Sequence, residues 1–242
     1  MLNKVALNEA LIRTALDDHA AATRDIRGDE DQFHVSDLTG CTRAIWARLT
    51  NKTLLPFSGD RLRTFLFGFR AEDFVIDAIR QITPVEEGVE ALLDRFLIGH
   101  PDGVTDEAVL EVKSTEFLVD RQTWQRIVPR LETDLPMHYR IQASAYAIAL
   151  DKPKAFVIVV CRATGMLAVI EIHPEKYRAT INDHLKRLRG LRLNLELGDH
   201  EMPEPYLPAD TINKRTGESW MCKYCSFAAC EKNRNPLKGN NG

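Results

Sequence analysis

The sequence predicts an α/β fold with a mixed central sheet flanked by helices. Three observations carry this. Apolar residues recur near a 3.6-residue period over 62–82, 137–150 and 174–197, as helices require. Residues 108–114 alternate, with Val109, Glu111 and Lys113 on one side and Leu110 and Val112 on the other, as in a strand. The resulting order, helix–strand–strand–helix–strand–strand, is that of a layered α/β domain.

Taken in order, residues 2–26 predict a helix, because Val5, Leu7, Leu11, Ile12, Ala15 and Leu16 share its period. Residues 34–50 predict a short helix capped by Ser36 or Asp37, with Leu38, Ile45, Trp46 and Leu49 inward. The 62–82 helix offers Leu66, Phe69, Phe74, Ile76 and Ile79 as its apolar side and stops before Pro84. Residues 89–98 read as a strand, and Gly99-His100-Pro101-Asp102-Gly103 as a tight turn. Residues 115–136 are polar and broken by Pro129, giving a loop with a short helix. Two strands, 154–161 and 166–172, meet at Thr164-Gly165. A long helix over 174–197 buries Ile181, Leu185, Leu188 and Leu195. After Gly198 a crossing rich in proline leads to the last cysteines and a polar tail.

A chain of 242 residues can bury one substantial core, or at most two small ones. Its apolar runs are too short to span a bilayer, and residues 1–4 begin no secretory leader. The expected setting is therefore a reducing cytoplasm (the host's, if the chain is phage-encoded), where thiols bind metal more often than they pair. A net charge of −3 excludes a bulk polycation, so nucleic acid would be held by a local patch.

The middle of the chain carries chemistry. Hydrolysis of a phosphodiester needs an activated water and a stabilised leaving oxygen, which divalent cations supply when carboxylates hold them. Asp102 at a turn and Glu111 on the next strand can converge at one sheet end, with the Val112 carbonyl as a further ligand. Lys113 emerges on the face of Glu111 and can offset transition-state charge. Glu72, within a helix, is a candidate third acid. Gln142 and Tyr146 share a helix face at i and i+4. Read alone, each of these also suits a solvated surface or ordinary packing.

Taken in order, Gly68-x3-Glu72, Gly99-His100-Pro101-Asp102, Glu111-Val112-Lys113 and Gln142-x3-Tyr146 resemble the RecB-like branch of the PD-(D/E)XK nucleases. Cys41, in Ser36-Asp37-Leu38-x2-Cys41-x-Arg43, and the closing Cys222, Cys225 and Cys230 resemble its iron–sulfur members. Those are the CRISPR-associated RecB-like exonucleases, the AddB nuclease domain and phage relatives. The resemblance implies a restriction-endonuclease-like core over 34–232, between an N-terminal helical extension (1–33) and a polar tail (233–242). It implies an exonuclease dependent on Mg²⁺ or Mn²⁺ that acts on single-stranded DNA or DNA ends in recombination, repair or CRISPR-type processing. Asp102, Glu111 and Lys113 would be catalytic, with Gln142 and Tyr146 touching DNA or bracing the site. Glu72, Asp102, Glu111 and the Val112 carbonyl would hold metal. Glu72 stands where many relatives carry histidine.

Four thiolates suit a [4Fe–4S] cluster or tetrahedral zinc. The resemblance implies the cluster, tying the N-terminal segment to the C-terminal one, with zinc as the alternative. Cys161 ends an apolar strand and reads as a small buried hydrophobe. Trp124, Arg121 and Arg126 in the long loop are candidates to stack on and steer a DNA strand. Partners expected are DNA and either further copies of the chain or a recombination protein, with no membrane. The competing readings are a module that grips DNA or a partner without cutting, and a zinc-stabilised interaction protein.

Overall fold

The computed structural model describes residues 14–16, 18–19, 32–52, 58–115, 131–162, 164–199, 201–212, 219–223, 225–227 and 229–230. The predicted N-terminal helix falls mostly outside this set. Thr14, Ala15, Leu16, Asp18 and His19 are helical, and Leu16 is exposed. The candidate strand-steering residues Arg121, Trp124 and Arg126 also lie outside the described residues.

Among the described residues two sheets form, where the sequence predicts one. The larger has the order β4-β5-β6-β7: β4 (Gly103–Val104), β5 (Ala108–Thr115), β6 (Lys154–Cys161) and β7 (Leu167–Ile172). It is mixed, because β5 and β6 run parallel while β4 and β7 pair antiparallel to their neighbours. The smaller joins β1 (Phe33–His34), β3 (Leu97–Gly99) and β2 (Ala91–Leu93). β2 and β3 replace the single strand expected over 89–98. Asp94 and Arg95, both at positive φ, turn the chain between them. The turn contains no glycine, which is why the hairpin is hard to read from the sequence.

Helices cover both faces of the larger sheet. On one, α2 (Gly59–Arg80), capped by Ser58, seats Val75 and Ile76 against Leu110, Val112, Ile158 and Val160. On the other, α3 (Met137–Ala149) packs Ile141, Ala145 and Tyr146 into the main core with Val109, Val157 and Val159. This confirms the alternation expected of β5. Behind α3 lies α4 (Arg178–Glu196), which buries Ile181, Leu185, Leu188 and Leu191. Cys161 is fully buried in the same core.

Two predicted details change. The segment 34–50 is not one helix: a 3₁₀ turn (Val35–Thr39) precedes α1 (Thr42–Leu49), whose cap position is Cys41. Asp37 instead accepts the His34 N–H at 2.8 Å and pairs with Arg48. On α2, Phe69 and Phe74 are 38% and 65% exposed, so they are not its inward side. A cavity of about 580 Å³ between α2 and β7, lined by Phe74, Ile82, Phe156 and Val169, is apolar and lies on the face opposite Glu111. No described helix is long and apolar enough to cross a membrane.

Candidate active site

β4 stops after two residues, so β5 loses its neighbour beyond Leu110, where Gly103 is its last partner. Asp102, just before β4, fills the gap. Its Oδ2 accepts the Val112 N–H at 2.6 Å. A strand residue turns its N–H and carbonyl to the same side, so the Val112 carbonyl also faces this edge. The Pro-Asp-Gly turn thus caps the strand that carries the second acid.

Glu111 is 1% exposed, and its Oε1 accepts a hydrogen bond from Lys113 Nζ. Residues two apart on a strand share a face, which makes this pair a direct consequence of Glu-x-Lys. Burial alone would depress the Lys113 ammonium; Glu111 first and Asp102 next outweigh it and hold its pKa above the ordinary lysine value. Its stabilising contribution is therefore complete below that ordinary value and is lost only as pH rises through the higher folded one. Lys113 is a fixed cation at neutral pH.

The roof of the site comes from α3. Lys113 Nζ lies 5.5 Å from the centre of the Tyr139 ring. Gln142 Nε2 donates to the Tyr146 hydroxyl at 3.3 Å. Burial, then the Glu111 carboxylate, push the Tyr146 phenol up, so it stays protonated. Tyr139, Gln142 and Tyr146 stand at i, i+3 and i+7, one side of the helix. Helical spacing could have added Tyr139 to the candidates.

Gly99 explains how Tyr146 fits. A Cβ there would sit 2.6 Å from Tyr146 Cε1 and 3.0 Å from its hydroxyl. Gly99→Ala is expected to cost about 1–3 kcal/mol by overpacking. Gly190→Ala, where an added Cβ meets nothing within 4 Å inside α4, should be neutral or stabilising by up to about 1 kcal/mol. Urea unfolding of both variants checks this contrast.

Glu72 is half-buried on α2. A Cβ on Gly68 would lie 3.5 Å from Ser114 Oγ, and one on Gly103 would lie 3.0 Å from Ile76 Cδ1. Gly68, Glu72 and Ile76 form one helical row, so Glu72 falls between these two contacts, beside the β5 edge that β4 leaves open. It belongs to the helix on the opposite face from Glu111 and can approach the other acids only around that edge.

The four outlying cysteines line one cavity of about 300 Å³, together with Arg43, Arg48, Arg61 and Phe227. All are thiols, with no disulfide among them. Burial, then the neighbouring sulfurs of Cys41, Cys230 and Cys222, raise the Cys225 pKa, against a backbone hydrogen bond from Phe227 that lowers it. The sequence separation of Cys41 from the triplet is therefore closed by the fold. Among the described residues no three His, Cys, Asp or Glu side chains are already gathered into a metal cage. The donor types nevertheless suit their expected guests: soft sulfurs in one cavity, hard carboxylate oxygens at the other site.

No protein-family model matches the chain, and no curated protein matches it. Its fold is similar to the crystal structure of SSO0001, at 14% identity and a TM-score of 0.52, over 94% of this chain and 98% of that one. An alkaline exonuclease, LHK-Exo from Laribacter hongkongensis, aligns at 14% identity and a TM-score of 0.49, over 72% of this chain and 94% of that one. LHK-Exo in complex with dAMP aligns at 13% identity and 0.47, over 69% and 94%. The first likeness is one of fold; the other two scores are too low to carry an argument.

Proposed function

We propose that this chain is a deoxyribonuclease dependent on Mg²⁺ or Mn²⁺, of RecB-like type, acting on single-stranded DNA or DNA ends. The observation that supports this best is the meeting of Asp102, Glu111 and Lys113 at the open edge of β5, beneath Gln142 and Tyr146. Asp102, Glu111 and the Val112 carbonyl would hold the cation, with Glu72 as a further ligand. The bound ion would supply Lewis-acid activation of water and charge neutralisation. Lys113 keeps its proton and offsets negative charge on the phosphoryl group. The Tyr146 phenol, steadied by Gln142, keeps a hydrogen-bond donor beside the buried acid.

The cysteine cavity, on this reading, carries a [4Fe–4S] cluster on Cys41, Cys222, Cys225 and Cys230, with zinc as the competing guest. Its role is to fasten the end of the chain to α1. Recombination, repair and CRISPR-type DNA processing all supply the ends such an enzyme would act on.

The direct test incubates purified protein with end-labelled single- and double-stranded DNA and Mg²⁺ or Mn²⁺. Cleavage by the wild type, abolished by chelator and restored by metal, is expected. DNA binding without any cleavage under every metal tried would replace the enzyme with a gripping module.

A further inference from the structure

We infer that Arg43 is a fixed cation of the cysteine cavity, offsetting the charge of its sulfur ligands and raising the reduction potential of the cluster they hold. The inference rests on the iron–sulfur reading above.

Arg43 follows Cys41 by two residues, in the first turn of α1, and is 5% exposed. One turn places its guanidinium on the cavity wall beside the four sulfurs. Nη1 donates to Cys230 Sγ at 3.7 Å, within the reach of a hydrogen bond to sulfur. Nε donates to the Pro203 carbonyl at 2.9 Å, which fixes the plane of the fork. Nη2 lies 3.9 Å from Glu204, whose side chain is 97% exposed and so is screened by water. The cavity's other arginines are placed differently. Arg48 is engaged with Asp37 at 2.6 Å, and Arg61 stands over the Phe65 ring. Arg43 is the one whose guanidinium meets the Cys230 sulfur at 3.7 Å among the described contacts.

This geometry has an electrostatic consequence. Cysteines bind iron as thiolates, so loading the cage brings several negative charges into a half-buried cavity. A buried guanidinium against one sulfur favours those charges and favours most the reduced, more negative state. Hydrogen bonds to sulfur, net charge and burial are the levers that set cluster potentials, and Arg43 supplies all three. Its hold on Pro203 also ties the proline-rich crossing to α1. A merely structural role would end there and would leave the potential unchanged.

Arg43→Met keeps an unbranched stem and removes the charge and the sulfur hydrogen bond; Arg43→Lys keeps the charge and loses the fork. The experiment measures iron content, visible absorbance and midpoint potential of both variants beside the wild type. We expect Arg43→Met to shift the potential negative by a tenfold change in the oxidised-to-reduced ratio or more, about 59 mV for one electron. Arg43→Lys should recover most of that shift. An unchanged potential in an iron-loaded Arg43→Met protein overturns the inference. Loss of the cluster from both variants, with circular dichroism intact, makes Arg43 an assembly residue and overturns it too. Wild-type protein without iron defeats the cluster reading itself and is told apart from either result.

Discussion

Lys113→Met is expected to lower cleavage about 10²–10³-fold while leaving DNA binding in place. The reason is geometric: the ammonium sits on Glu111 at the strand edge that Asp102 caps. The same change should also destabilise the fold. The Glu111 side chain is 2% exposed, and removing the cation beside it leaves a buried carboxylate without its ammonium, at a cost of about 3–5 kcal/mol. This cost carries a pH signature. In the variant, the folded pKa of Glu111 rises above its unfolded value, so the folded state binds more protons. The stability gap from wild type should therefore narrow as pH falls from 7 through the carboxylate range. A gap that stays constant between neutral and mildly acidic urea titrations would sink this account. The double variant Glu111→Gln/Lys113→Met separates folding from chemistry: it should regain stability and remain inactive.

The residues of this site were legible because strand periodicity is short and rigid. Glu111 and Lys113 must share a face if 108–114 is a strand, and the pair forms as that rule requires. Met137–Ala149 was legible for a similar reason: an uninterrupted apolar period fixes its extent and brings Gln142 to Tyr146. α2 was not. Phenylalanines at 65, 67, 69 and 74 surround it, so composition gives no clean polar face and periodicity alone cannot set its rotation. The rotation is set by Val75 and Ile76 packing on β5, and by Gly68 passing close to Ser114, contacts between segments far apart in sequence. The packing role of Gly99 is hidden for the same reason. In the sequence it looks like a turn residue; in the fold it is the space that the Tyr146 ring fills. Arg43 stands in the Cys41 motif of the sequence, but its contact with the last cysteines appears only once they fold back upon it.

Cys225→Ser is expected to abolish the visible absorbance of the purified protein and to lower its melting temperature by about 10–20 °C. The magnitude follows from chain topology. A cofactor held by Cys41 and the triplet closes a loop from 41 to 222, across most of the domain. Closing even a hundred-residue loop removes about 4.7 kcal/mol of unfolded-chain freedom. For a domain of this size each kcal/mol moves the melting temperature by about 2–4 °C. Other contacts of the described C-terminal residues are few and local. Phe227 packs edge-on against Trp46 at 5.9 Å, and Arg43 holds Pro203 and Cys230. These contacts gather around α1, so loss of the cofactor should loosen the surroundings of Phe227 and Cys230 before it loosens β5 or β6. Hydrogen exchange should show that order, with protection falling first near Phe227 and Cys230 while Val157 and Val159 keep theirs. A serine variant that stays brown and melts with the wild type would remove Cys225 from the cage.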